Sequence, residues 1–311
     1  MSVDPTPHLI VPFAQCGDEG WLQATTSLAI KNLDHLLRGM KLVETYTGHA
    51  NSLSPPHERA LTQAWDLKKS DDGLIPWAAL EANATPGQAW AFITPCHWAM
   101  GREHATLTDP ATLGISEDQS RTLMAAMQHY FATEGITLHY LRPACWLARG
   151  DVFRSLPTAS LDRVLGRNVD RWLPASKAIK LLQNEMQMLL YTHPVNDERA
   201  AIGQRSVNSF WVSGSGALDE SATAYPKVDM TRGLAQATFA NDWPAYAQAW
   251  AQLDATDISQ LLAQQRDGET VRLTLCGESN SVTFESVRHS IFSRIKGVFT
   301  PLSIVYLLKQ L

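Results

Sequence analysis

The densest run of side chains able to do chemistry is residues 183–216, QNEMQMLLYTHPVNDERAAIGQRSVNSFWVSGSG. Here His193, Asn196, Asp197, Arg199, Asn208 and Ser209 are interleaved with apolar anchors such as Trp211. Arg199 carries a planar fork of donors suited to a phosphate or a carboxylate. Pro194 predicts a helix ending at His193, where the carbonyl end of the helix favours a positive imidazole. Asp197 is then placed to cap a short new turn that displays Arg199. The same residues fit a capped helix-turn-strand joint in which the polar groups only satisfy backbone. The sequence leaves both readings open.

Other chemistries are poorly supported. Ten histidines invite a metal, and His97, His104 and Asp109 could meet across a turn at residues 99–101. No H-E-x-x-H or C-x-x-C spacing backs this, so they read as partly buried structural residues, and no metal is expected. Ser213-Gly214-Ser215-Gly216 contains Gly-Ser-Gly but not the G-x-S-x-G of a nucleophile elbow, and reads as a small-residue loop after a strand. Neither G-x-x-x-x-G-K-[ST] nor G-x-G-x-x-G is present. Cys16, Cys96, Cys145 and Cys276 are scattered and read as buried, reduced thiols of a cytoplasmic protein.

The elements that must position these residues alternate in type. Residues 8–14 read as a buried strand, 21–38 as one amphipathic helix, and 56–67 as a shorter helix opened by Pro56. Strands are predicted at 88–94 and 105–108, and Ser116 with Gln119 forms a capping box for a helix to 133. A hairpin follows over 136–148, helical pattern over 160–191 with a break at Pro174, and a strand at 207–212. Helices at 244–253 and 257–266, strands at 270–276 and 282–285, and a helix at 301–311 complete the chain. This predicts an α/β fold whose central sheet is mixed and mostly parallel, with helices on both faces. Residues 1–109 and 206–311 are expected to form the α/β core, and 110–205 an inserted or appended α+β region.

Composition limits the partners. At 311 residues, 45% hydrophobic and 18% charged, the chain can bury a full core. A net charge of −5 argues against a nucleic-acid binder or an anionic-membrane surface protein, and no apolar run is long enough to span a bilayer. The first twenty residues hold no Lys or Arg, so no signal peptide is expected.

The segment His193-Pro194-Val195-Asn196-x-x-Arg199, followed by Gly203 and Asn208-x-x-Trp211-x-x-Gly214-x-Gly216, resembles the archaeal-type cofactor-independent phosphoglycerate mutases of the alkaline-phosphatase superfamily. Asn32-Leu33-Asp34-His35-Leu36 is similar to an element after the first strand of that superfamily. SLSPPHERAL, DGLIPWAA, TPCHWAMG, LPTASLDRVLGRNV and QNEMQMLLYTHPVNDER together resemble a bacterial group known as RpfE-type regulatory proteins or predicted phosphoglycerate mutases. That resemblance runs over nearly the whole chain.

The resemblance implies a metal-ligating Asp at the end of the first strand, where this chain has Pro12-Phe13-Ala14-Gln15. It implies a phosphorylated Ser, where this chain has Pro56-His57-Glu58, and a late D-x-x-x-H, which is missing; His289 is the one histidine after Trp211. Two-metal phosphoryl transfer needs such ligands. The expectation is a catalytically degenerate relative, a pseudoenzyme without a cofactor, with a regulatory role or a site for a phosphorylated or carboxylate small molecule; a protein partner is compatible. The alternative is an active phosphoglycerate mutase, or another phosphoryl-transfer enzyme, with a rearranged site. On the resemblance, a surviving ligand site would be formed by His193, Asn196 and Arg199, with Asn208 and Trp211 entering from the next strand.

Overall fold

The computed structural model describes residues 6–26, 28–67, 70–220, 225–287 and 304–311. The chain divides into two compact units, one made of 1–51, 55–68 and 225–311, the other of 52–54 and 69–224. The region expected as an insertion, 110–205, lies inside the second unit together with 69–109 and 206–224. In chain order the strands are β1 (His8–Val11), β2 (Met40–Thr47), β3 (Ala89–Cys96), β4 (Trp98–Met100), β5 (Ala105–Leu107) and β6 (Thr137–Arg142). They continue with β7 (Cys145–Arg149), β8 (Ser209–Ala217), β9 (Asp229–Met230), β10 (Arg272–Cys276) and β11 (Asn280–Ser286).

The first unit holds a five-stranded mixed sheet in the order β2-β11-β10-β1-β9. β1 runs parallel to both neighbours, with Val11 opposite Leu275 and Ile10 opposite Met230. β11 and β2 are antiparallel, so the expected parallel character holds only for β10-β1-β9. The short turn between β10 and β11 imposes this, because parallel neighbours need a long crossover. Leu9 and Val11 point into a core with Trp21, Leu33, Leu36, Tyr246, Trp250 and Leu273.

Here the predicted helix 21–38 is two helices, Glu19–Thr26 and Lys31–Arg38. The Thr25 and Thr26 hydroxyls donate back to the Trp21 and Leu22 carbonyls, a local competition that weakens helix continuation. The second helix has no side-chain cap of its own. Instead the buried Asp254 carboxylate accepts from the Leu33 and Asn32 amides at 2.8 and 3.2 Å. β1 ends at Val11 rather than 14, because Pro12 has no N–H and Phe13 takes φ +55°.

The second unit holds an antiparallel sheet, β6-β7-β3-β8, and a β4-β5 ribbon. Strands expected to share one central sheet are thus divided between two. Its core gathers Ile93, Leu123, Phe131, Trp146, Leu182, Met186 and Phe210. The helix Glu117–Thr133 opens with both bonds of the Ser116–Gln119 capping box. Residues 213–216, expected as a loop, continue β8 instead. The β3–β8 register shifts beside them, and Gly214 at φ +60° packs where a Cβ would strike Phe92 and Trp77, so glycine carries the strand through the irregularity.

Candidate functional site

The helix Lys177–Tyr191 is followed directly by Pro194–Ala201. His193 opens the second helix rather than closing the first: its Nδ1 accepts from the Val195 amide at 3.3 Å. Asp197 therefore sits within a helix already capped. Asn196 is buried, donates from Nδ2 to the Leu190 and Val207 carbonyls at 2.7 and 2.8 Å, and accepts the Val207 amide at Oδ1.

Arg199 is fully buried. Nε donates to the Arg205 carbonyl, Nη1 to Gln119 Oε1 and Nη2 to the Leu113 carbonyl, at 2.8, 2.8 and 2.6 Å. Neither Glu185 nor Asp197 is among these partners. Burial lowers the Arg199 pKa. Asn208 pins β4, accepting the Trp98 amide and donating to the Trp98 carbonyl. Trp211, also fully buried, donates to the Ala159 carbonyl at 3.1 Å.

Among the described residues no side-chain hydrogen bond joins one of these five residues to another. Asn196, Arg199, Asn208 and Trp211 each tie separate segments while His193 caps its own helix, and a ligand contact by Asn196 or Arg199 would require breaking those bonds. The remaining histidine pair is also separated in role: His97 Nδ1 bonds the Ser206 carbonyl while His104 is exposed. Among the described residues no three His, Cys, Asp or Glu side chains are grouped to hold a metal. His289 lies outside the described residues.

A second polar cluster in the same unit joins three of the motif segments. Asp72 accepts from Ser52 Oγ and the Leu53 and Ser54 amides at 3.0, 2.7 and 2.9 Å. Ser54 Oγ accepts the Gly73 amide, and the Gly73 carbonyl accepts the Thr158 amide. Arg163 reaches the Ser54 carbonyl at 3.4 Å. Ser215, the serine of the Gly-Ser-Gly, shares a 2.8 Å bond with Thr158 Oγ1 and donates to the Leu156 carbonyl. A hydroxyl held this way, without a base, is a structural tie rather than a nucleophile.

In the first unit, the carboxyl end of β1 is where an open α/β sheet ordinarily meets its ligand. Phe13 there is in the left-handed region, a strain that needs firm support. Its ring is buried against His57 and Phe239, with centroids 5.9 and 4.9 Å apart. The Tyr246 hydroxyl lies 2.8 and 3.0 Å from the Phe13 and Ala14 carbonyls, and Trp21 Nε1 donates to that hydroxyl at 3.1 Å. Burial raises the Tyr246 pKa, so it remains a donor. Cys16 Sγ lies 3.4 Å from Thr238 Oγ1, and burial pushes this thiol up to about 11, away from thiolate chemistry.

This donor set does not fit a divalent metal. The positions after β1 are aromatic, apolar, amide and protonated thiol, whereas such ions take carboxylates, imidazoles or thiolates. No periodic signal in the sequence marks Tyr246, which reaches the loop from the helix Trp243–Leu253. At the other end of β1, a cavity of about 190 Å³ is lined by His8, Lys227, Asp229, Asp257, Gln260 and Gln264. Lys227 pairs with Asp229 there at 3.1 Å.

No protein-family profile matches the chain. No curated protein matches it in sequence. Among solved structures it is distantly similar to the cofactor-independent phosphoglycerate mutase from Thermoplasma acidophilum DSM 1728, at 13% identity and TM-score 0.35, over 98% of this chain and 99% of that one. It is also similar to the PH0037 protein from Pyrococcus horikoshii, at 10% identity and TM-score 0.48, over 91% of this chain and 88% of that one. Both likenesses are distant, and neither bears on function. No helix among the described residues is long and apolar enough to cross a membrane.

Proposed function

We propose that this chain is a catalytically degenerate relative of the cofactor-independent phosphoglycerate mutases, with a regulatory role or a site for a phosphorylated or carboxylate small molecule. One observation carries this reading: residues 12–15, which follow β1, hold no carboxylate, and His57 is buried against Phe13. Phe13 lies within residues 12–15, where the resemblance implies a metal-ligating Asp, and its ring packs on His57, within residues 56–58, where it implies the phosphorylated Ser. His57 is itself buried. In-line displacement needs an accessible nucleophile and cations to gather the charge of the transferring group. Neither side chain at these two positions supplies them.

The test is a coupled assay of 2- and 3-phosphoglycerate interconversion on the full chain, with and without added Mn²⁺. No turnover above the buffer rate is expected in either condition. Metal-dependent turnover that is lost on adding chelator and restored with Mn²⁺ would overturn the reading in favour of an active mutase.

A further inference from the structure

The helix Lys177–Tyr191 turns Ile179, Leu182, Met186 and Leu190 into the core with Leu123 and Phe131, which fixes its rotation. On its far side Lys177, Leu181, Asn184, Met188 and Tyr191 follow one another at spacings of four, three, four and three residues. All five are exposed, and Leu181, Met188 and Tyr191 reach 48%, 78% and 85%. A solvated helix face is ordinarily polar, whereas this spacing is the heptad repeat by which one helix packs along another.

We infer that this stripe is the contact through which two copies of the chain associate, their helices parallel and in register about a two-fold axis. The charges beside the stripe select both the occupant and its direction. Lys180 and Glu185 stand on opposite flanks, about 140° apart around the helix, too far round to meet each other. Among the described residues neither is in an ion pair. Across two parallel helices in register, a residue on one flank faces the residue five positions later on the opposite flank of the other helix. Lys180 of each copy then meets Glu185 of the other, and the symmetry forms both pairs at once. Leu181, Met188 and Tyr191 meet their own counterparts, and Asn184 between them meets Asn184, whose amide both donates and accepts. An antiparallel pairing that packs Leu181 on Tyr191 would set Lys180 against Thr192 and Glu185 against Gln187, leaving both charges without a partner.

Sedimentation equilibrium of the full chain tests this and is separate from the mutase assay. A contact of about two heptads is small, so at low salt a weak monomer–dimer equilibrium is expected between about 2 and 200 µM. Met188→Glu should raise the dissociation constant at least about tenfold and leave the melting temperature within about 2 °C, because the side chain is exposed. Lys180→Glu and Glu185→Lys each turn two attractive pairs into repulsive ones, and each should raise the constant roughly fivefold. The two changes together should restore it to within about twofold of the native value. A chain monomeric throughout that range assigns the stripe to a different protein or to none, and overturns the inference. So does a dimer indifferent to Met188→Glu, or a double exchange that restores nothing.

Discussion

The joint around Arg199 and the carboxyl end of β1 invert what their residue types suggest. The joint is rich in His, Asn and Arg, yet each of those groups is spent on a main-chain atom or on Gln119. The end of β1 is mostly apolar, yet it holds the strained Phe13 and a tyrosine aimed at two adjacent carbonyls. Buried polar groups must find partners, so a cluster of them marks a place where backbone needed satisfying as readily as one where a ligand binds. Strain supported by a shaped surround is the more specific sign of a site.

Removing Arg199 tests the first half of this contrast most severely. Arg199→Ala strips the donor from three acceptors and should cost about 3–5 kcal/mol in a urea titration. Arg199→Lys should recover less than half of that, since an ammonium cannot reproduce the fork. Unchanged stability with loss of 3-phosphoglycerate binding would move the joint from scaffold to ligand site.

The amino end of β1 offers a second measurement, through pH. His8 donates to or accepts from Thr274 Oγ1 at 2.8 Å, and burial, aided by the nearby Arg272 charge, holds its pKa down to about 4. Below the ordinary histidine value of 6.5 the unfolded chain takes up a proton that the folded chain refuses. Stability should therefore be full above pH 6.5 and fall as pH drops from there toward 4, by about 2 kcal/mol between pH 7.5 and 5. His8→Gln should flatten that slope, and a His8 NMR titration midpoint near 6.5 would refute the assignment.

A smaller effect is expected at the other end of the strand. Tyr246→Phe keeps the ring and deletes the hydroxyl that serves the Phe13 and Ala14 carbonyls and accepts from Trp21. The loss should be about 1–3 kcal/mol by thermal denaturation, with a shift in tryptophan emission because Trp21 loses a partner. No change in either would mean that the loop after β1 supports Phe13 without the tyrosine.

Much of the local structure was legible in the residue order. The Ser116–Gln119 capping box, the 136–148 hairpin and the Pro56 helix start all follow from interactions within a few residues, which sequence spacing records directly. The strands at 270–276 and 282–285 were readable for the same reason. What spacing could not record was which strand pairs with which. β3 pairs with β8 more than a hundred residues away, and only that pairing turns an expected single sheet into a separate antiparallel one.

The same limit governed the site. Composition and patterning alone determined that the chain folds around large apolar cores; ligands at residues 12–15 and a nucleophile at residues 56–58 were implied only by the resemblance. Only the tertiary structure decided that Arg199 is enclosed by Leu113, Gln119 and Arg205, and that Tyr246 reaches the end of β1. Residue type sets what a side chain can do. Its burial and hydrogen-bond partners, supplied by segments distant in the chain, set what it does.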